Sequence, residues 1–506
     1  MGRYRIRRPV GTLFALTIAG GLLLTGCAGG ESNGSSDSNR ANRANGSLPF
    51  PSPAYSSGRP DTEESANHLS TFALDVDTAS YGYARRTLAE GRLPEPSTVR
   101  PEEFVNSFRQ DYERPHGNGF TVTVDGARTG PGDWSLVRVG LATRAAQPEA
   151  ERPAAALTFV VDVSGSMGEP GRLDLVKDSL GILTDRLRDD DSIAIVTFSD
   201  EAETVLPMTR LGSHRARVHD AIDELEPTDS TNLGAGVRTG YATAVEGLRP
   251  GATNRVVLLS DGLANTGDTD ADTILERIAS ARREHGITLF GVGVGSDYGD
   301  ALMERLADRG DGHTTYVSTA EDARTVFSEQ LPQNVELTAR DAKAQVAFDP
   351  RTVQEFRLIG YDDRRVADKD FRDDRVDGGE VGPGHTVTAL YAVRTRPGAT
   401  GHLATATVRW QDPGTRAPHE ESGQLETGAL DGDLWHASYG LQLAATAAYF
   451  ADDLRHGDTH GSALPGRPGL AALADHAGAL ATRTADTDVR RLAEAIQEAS
   501  DLQGAD

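Results

Sequence analysis

The sequence predicts an α/β protein: a doubly wound, mostly parallel sheet, flanked by a β-sandwich-like region and closed by a helical C-terminal segment. Three observations carry this. Between residues 153 and 332, short β-branched apolar runs alternate with amphipathic stretches of helical length, the pattern of βαβ units. On either side of that span, runs with period-two alternation read as antiparallel strands. Residues 431–506 are alanine-rich, with apolar residues at the three- and four-residue spacing of a helix face.

The elements follow in order. Leu157–Val161 is a buried strand, and Leu173–Leu187 is a helix whose Leu173, Val176, Leu180, Leu183 and Leu187 share one face. Ser192–Phe198 is the next strand. His214–Leu225 and Leu233–Leu248 read as helices, Val256–Leu259 as a strand, Asp270–His285 as a helix and Ile287–Val294 as a strand. Met303–Ala307, Thr314–Val317 and Ala323–Leu331 continue as helix, strand and helix. This span, 153–332, has the size of one ordinary domain.

Around it, Gly119–Val124 and Trp134–Thr143 alternate like strands, as do Val335–Thr338, Ala344–Phe348, Glu355–Ile359, Thr386–Arg394 and Leu403–Trp410. The economical arrangement is a single sandwich, with residues 119–150 pairing with 333–430 and the α/β domain inserted between them. Residues 68–115 form a compact segment ahead of it, with helix-like runs at Tyr83–Glu90 and Pro101–Phe108. The closing helices, over Leu434–Leu454 and Leu470–Leu502, are expected to cover one end of the sandwich.

The run Asp162-Val-Ser164-Gly-Ser166 directly follows the strand Leu157–Val161, so its side chains fall on a loop at the C-terminal end of a strand, where open α/β sheets bind ligands. Two further oxygen donors occupy similar places. Thr231 lies in the loop before the helix at Leu233, and Asp261 closes the strand Val256–Leu259. Asp162, Ser164, Ser166, Thr231 and Asp261 supply two carboxylates and three hydroxyls, with no thiolate or imidazole. That set suits Mg²⁺, with Mn²⁺ or Ca²⁺ as alternatives, rather than zinc or copper. Helix capping explains Asp and Ser in such a loop on its own, but five donors from three separate loops suggest one site.

The five positions, Asp-x-Ser-x-Ser followed by Thr231 and by Ser260-Asp261-Gly262, resemble the metal-ion-dependent adhesion site of von Willebrand factor type A domains. The resemblance implies that Ser164, Ser166 and Thr231 reach the metal directly or through water, with Asp162 and Asp261 in the first or second shell. It also implies that the ion accepts an acidic side chain from a partner protein. Ser70–Tyr81, Leu93-Pro94 and Val99–Glu103 resemble the region that precedes this domain in a group of bacterial lipoproteins. Arg357–Tyr361, Asp370-Phe371 and Gly384–Tyr391 resemble that group's C-terminal part.

Arg3, Arg5, Arg7 and Arg8 precede an apolar stretch from Val10 to Leu24, shorter than the roughly 20 residues a spanning helix needs. Residues 1–26 thus read as a signal peptide. Leu24-Thr-Gly-Cys27 resembles a lipobox, which implies a lipid anchor on Cys27, the chain's single cysteine, and a place at the cell membrane on the extracytoplasmic face. Residues 27–67, rich in Gly, Ser and Asn, read as a disordered tether. The net charge of −25 argues against nucleic acid as a partner.

Other features are weaker. Asp268-Thr-Asp-Ala-Asp272 lacks the Gly and the Glu of an EF-hand loop. The acidic stretch Asp362–Asp377 is interleaved with arginines and reads as a self-paired solvated loop. Gly291–Gly295 lacks a dinucleotide fingerprint and reads as close packing of loops near the metal face. The expected function is therefore a non-enzymatic, metal-dependent protein-binding module. A metal-dependent hydrolase is the alternative, disfavoured because no base accompanies the metal residues and no Gly-x-Ser-x-Gly is present around Ser164 or Ser166. A structural envelope scaffold is a third reading.

Overall fold

The computed structural model describes residues 68–504 apart from 75–76, 131, 146–151, 262–270, 296–302, 304–305, 308–309, 311, 328–330, 332–336, 377 and 458–463. The signal peptide, the tether and Cys27 lie outside the described residues, as does most of the run Asp268–Asp272.

The chain opens with strand Leu69–Ala73 (β1) and helices Ala79–Ala89 (α1) and Pro101–Asn106 (α2), then Phe120–Arg128 (β2) and Trp134–Thr143 (β3). The α/β domain follows as Ala155–Asp162 (β4), Leu173–Arg186 (α3), Ser192–Phe198 (β5), Ala202–Arg210 (β6), Arg215–Asp223 (α4), Leu233–Glu246 (α5), Thr253–Ser260 (β7), Ala271–His285 (α6), Thr288–Val294 (β8), His313–Val317 (β9) and Ala320–Thr325 (α7). Then come Ala339–Phe348 (β10), Val353–Ile359 (β11), Gly379–Val381 (β12), Thr386–Thr395 (β13), His402–Gln411 (β14) and Pro418–Glu426 (β15). Helices Tyr439–His456 (α8), Leu470–Thr484 (α9) and Thr487–Gln503 (α10) close the chain.

The α/β domain is a six-stranded sheet in the order β6-β5-β4-β7-β8-β9, parallel except for β6, which runs antiparallel to β5 at the edge. Period two along the strands divides the core. Leu157, Phe159 and Val161 of β4 pack with α3, α4 and α7, whereas Val160 packs with Leu233, Val237 and Tyr241 of α5 on the other face. With both faces covered, the inner strands read as continuous apolar runs. Strand β6 was not expected from sequence: it carries Pro207 and largely exposed polar residues, which an edge position accommodates.

The sandwich has one sheet in the order β11-β13-β3-β2 and another in the order β1-β10-β14-β15, with β12 on β10. Strand β3 pairs antiparallel with β13 from Trp134↔Arg394 to Ala142↔Thr386, so strands from both sides of the α/β domain share a sheet. Three details differ from expectation. β1 leaves the 68–115 segment and joins the sandwich through β10. The strand expected at Ala344–Phe348 begins earlier, at Ala339, whereas of the run expected at Val335–Thr338 residues 335–336 lie outside the description and 337–338 are not in a strand. The terminal helices do not cover an end of the sandwich: with α1 and α2 they pack on the outer face of the β11-β13-β3-β2 sheet, against Leu136, Leu390 and Ala392. The inner face of the same strands, Val137, Val139, Tyr391 and Val393, forms the sandwich core. The Asp362–Asp377 loop pairs internally at Arg375–Asp373, 2.6 Å, but also outward: Arg364 reaches Asp77 at 3.1 Å and Arg372 reaches Glu420 at 2.9 Å.

Candidate metal centre

The C-terminal ends of β4 and β7 lie side by side in the parallel sheet, and this register brings two carboxylates that are far apart in sequence to one edge. Asp162 ends β4 and is fully buried. Its Oδ1 accepts the Ser164 amide at 2.9 Å, and its Oδ2 accepts the Ser260 hydroxyl at 2.6 Å, so both oxygens are fixed in place. Burial pushes its carboxyl up to about 6, against the opposing pull of the Ser260 and Ser164 hydrogen bonds.

After Ser164 the chain turns through a short 3-10 segment, Gly165–Gly168, which presents Ser166 at the surface. The Ser164 and Ser166 hydroxyl oxygens are 3.1 Å apart, and Ser166 Oγ donates to Asp261 Oδ1 at 3.0 Å. Asp261 is buried at the end of β7. The third loop is laid onto the first: the Thr228 amide donates to the Val163 carbonyl at 2.6 Å, and a side chain at Gly165 would come within 3.3 Å of the Thr228 carbonyl, a close approach that glycine permits. Ser230 adopts a left-handed φ of 67°, unusual for serine, and the next residue, Thr231, is buried. Asn232 then caps α5 by accepting the Ala235 amide at 3.0 Å.

The donor set fits a hard cation. Adjacent ligands of an octahedral ion with bonds of about 2.1 Å lie about 3.0 Å apart, the spacing of Ser164 Oγ, Ser166 Oγ and Asp261 Oδ1, whereas the longer bonds to Ca²⁺ ask for a wider set. These are also ordinary hydrogen-bond lengths, so the same groups satisfy one another directly. Among the described residues no trio of His, Cys, Asp or Glu gathers into a metal-binding group.

Two residues of the site were not foreseen from sequence. Ser260 holds Asp162, and Arg172, buried ahead of α3, pairs through Nη1 with Asp261 Oδ2 and donates to the Ser166 carbonyl at 3.2 Å. Gly291–Gly295 does mark close packing here: a Cβ on Gly295 would fall 2.9 Å from Arg172 Nε.

Residues 156–329 match the von Willebrand factor type A domain, residues 56–134 match a von Willebrand factor model, and residues 334–400 match the C-terminal part of the uncharacterized protein YfbK. YfbK of Escherichia coli is 34% identical over 425 residues, which cover 78% of this chain and 72% of that protein. The chain belongs to the YfbK family of von Willebrand factor type A proteins. Protein sll0103 of Synechocystis is 28% identical over 205 residues, 40% of this chain and 47% of its own length. Inter-alpha-trypsin inhibitor heavy chain H2 of mouse is 24% identical over 164 residues, 31% of this chain and 17% of its own length. A solved von Willebrand factor type A protein from Catenulispora acidiphila, 16% identical, covers 76% of this chain and 91% of its own with a TM-score of 0.45. In this YfbK-family chain the α/β domain is the type A domain, and the β4, α5 and β7 loops form its upper face.

Proposed function

We propose that this YfbK-family chain is a cell-surface lipoprotein whose type A domain binds a protein partner through a metal-ion-dependent adhesion site. In this reading Ser164, Ser166 and Thr231 hold Mg²⁺, with Asp162 and Asp261 supplying charge, and Cys27 carries the lipid. When bound, the ion would accept a carboxylate from the partner at a position the protein leaves to solvent. The chain's own residues do the rest. Ser260 and the Ser164 amide orient Asp162, the Thr228–Val163 hydrogen bond sets the Thr231 loop, and the exposed Ser166 marks the side open to a partner.

The observation that carries this reading is an oxygen-only donor set gathered from separate loops: Ser166 Oγ lies 3.1 Å from Ser164 Oγ and 3.0 Å from Asp261 Oδ1, and the loop of buried Thr231 is hydrogen-bonded to theirs through Thr228 and Val163. Membership of the type A family, whose domains mediate protein–protein interaction, agrees with it. The test is capture of partners from envelope extracts by the immobilised protein in Mg²⁺ and in EDTA. Capture is expected in Mg²⁺ with wild type, and loss is expected both in EDTA and with Thr231→Ala. Capture that survives both treatments contradicts the proposal. Attachment through Cys27 is checked separately: Cys27→Ser should release the protein from the membrane fraction.

A further inference from the structure

A positive charge belonging to the chain itself already sits in the proposed metal centre. The Arg172 side chain is almost wholly buried, its Nη1 meets Asp261 Oδ2, and the same nitrogen donates to the Ser166 carbonyl at 3.2 Å. Nη2 pairs at 2.9 Å with Glu169, whose carboxylate is largely exposed. The stem of Arg172 is walled in by Gly295, which has a φ of +90°; a side chain there would strike Arg172 Nε, Cγ and Cδ at 2.9–3.2 Å. Gly295 is held in turn by Arg86 of α1, whose Nη1 donates to its carbonyl at 2.7 Å. A buried guanidinium boxed in on this many sides is a fixed part of the site.

We propose that Arg172 is a resident counter-charge of the adhesion site, which keeps Asp261 paired when no divalent cation is bound and sets cation affinity below what the oxygen donors alone would give. This rests on the metal-site reading above. Two buried carboxylates facing one another repel, and without a cation they would push the β4 and β7 loops apart. Arg172 cancels one of the two charges, so the loops stay assembled in the metal-free state. A divalent cation then meets one uncompensated negative charge in place of two. With Arg172 present the loaded site is one unit more positive than the carboxylates alone would leave it, which favours an acidic group arriving from outside. Arg172 thus weakens the hold on the metal and strengthens the attraction for the partner's carboxylate.

The experiment is calorimetric titration of the full chain with Mn²⁺, with thermal melts in EDTA and in Mg²⁺, for wild type, Arg172→Gln, Glu169→Lys and Ser164→Ala. Removing one unit of positive charge beside a divalent ion in a largely buried site should tighten Mn²⁺ binding about tenfold or more in Arg172→Gln. The same variant should be less stable than wild type in EDTA and should gain more from Mg²⁺. Glu169 is exposed, so Glu169→Lys keeps the fold and, by adding positive charge at the rim, should weaken Mn²⁺ binding about threefold or more. Wild-type binding that is lost in Ser164→Ala but unchanged or weakened in Arg172→Gln overturns the counter-charge and leaves the metal site standing. If Arg172→Gln does not fold, unchanged affinity in Glu169→Lys overturns it equally. No binding by either wild type or Arg172→Gln overturns the metal site itself, and this inference with it.

Discussion

Asp162 shows how single residues make this site. Its carboxylate is taken wholly out of water, and burial raises it to about 6 although two donors oppose the shift. A buried carboxylate so placed is what a nearby cation stabilises. The places of the five candidate residues follow from the apolar runs beside them: Asp162, Ser164 and Ser166 after β4, Asp261 after β7 and Thr231 ahead of α5. Ser260 as the holder of Asp162, and Arg172 as the partner of Asp261, were not legible: these pairings span 98 and 89 residues and exist only once the parallel register is set. Asp191 was missed in the same way. Burial alone would raise its carboxyl, but Arg152, at 2.9 and 2.6 Å, and the Ala155 and Arg188 amides outweigh this and hold it below the usual range. We predict that Asp191→Ala costs about 3 kcal/mol in urea unfolding, because Arg152 and two amides lose their acceptor. A change under about 0.5 kcal/mol, the range of an ordinary surface substitution, would contradict that account.

At the scale of elements, α5 shows why the sheet–helix contact is close. Gly236 and Gly240 stand one turn apart on its buried face, and a Cβ on them would fall 2.7 Å from the Phe198 ring and 2.3 Å from Val160 Cγ2. Alanine in a helix gains about 1 kcal/mol over glycine from backbone entropy. Overpacking a rigid strand costs about 1–3 kcal/mol, so the clash should win. Gly240→Ala is therefore predicted to lower the melting temperature, and a rise would show that the helix can stand off without loss. Helix α3 was legible from its helical period, and β4, β5 and β7 from continuous apolar runs, because these strands are buried on both faces. β6 and β15 were not, because edge strands with exposed polar side chains lack that signal.

At the scale of the molecule, the type A domain is tied to its surroundings by charge. Glu380 of β12 is buried between Arg255 of β7 and Arg340 of β10, at 3.7 and 3.6 Å, and Arg491 of α10 meets Glu321 of α7 at 3.0 Å. Asp77 accepts the Thr314 amide of β9 at 2.7 Å. His385 lies at the same junction, 6.3 Å ring to ring from His313, and its Nδ1 is buried with no hydrogen-bond partner among the described residues. Burial, and then the Arg255 charge, push its pKa down to about 4. The unfolded value is about 6.5, so between the two the unfolded chain holds a proton that the folded chain does not. Stability from this residue is full above about pH 6.5 and is lost as pH falls towards 4. The slope should reach at most about 1.4 kcal/mol per pH unit, and it should flatten in His385→Gln. An unchanged slope in that variant would assign the acid sensitivity elsewhere. The shared sandwich was foreseeable from alternating runs on both sides of the inserted domain. The joining of β1 and the seat of the terminal helices were not, because β3 and β13 are buried on both faces and their sequence does not say what covers the second.

The most direct test of the metal site is titration of the purified chain with Mg²⁺ or Mn²⁺ beside Thr231→Ala and Ser164→Ala. The account predicts one divalent ion bound per chain at the type A domain in wild type and none there in either variant. Equal binding in the variants, or no binding in wild type, would contradict it.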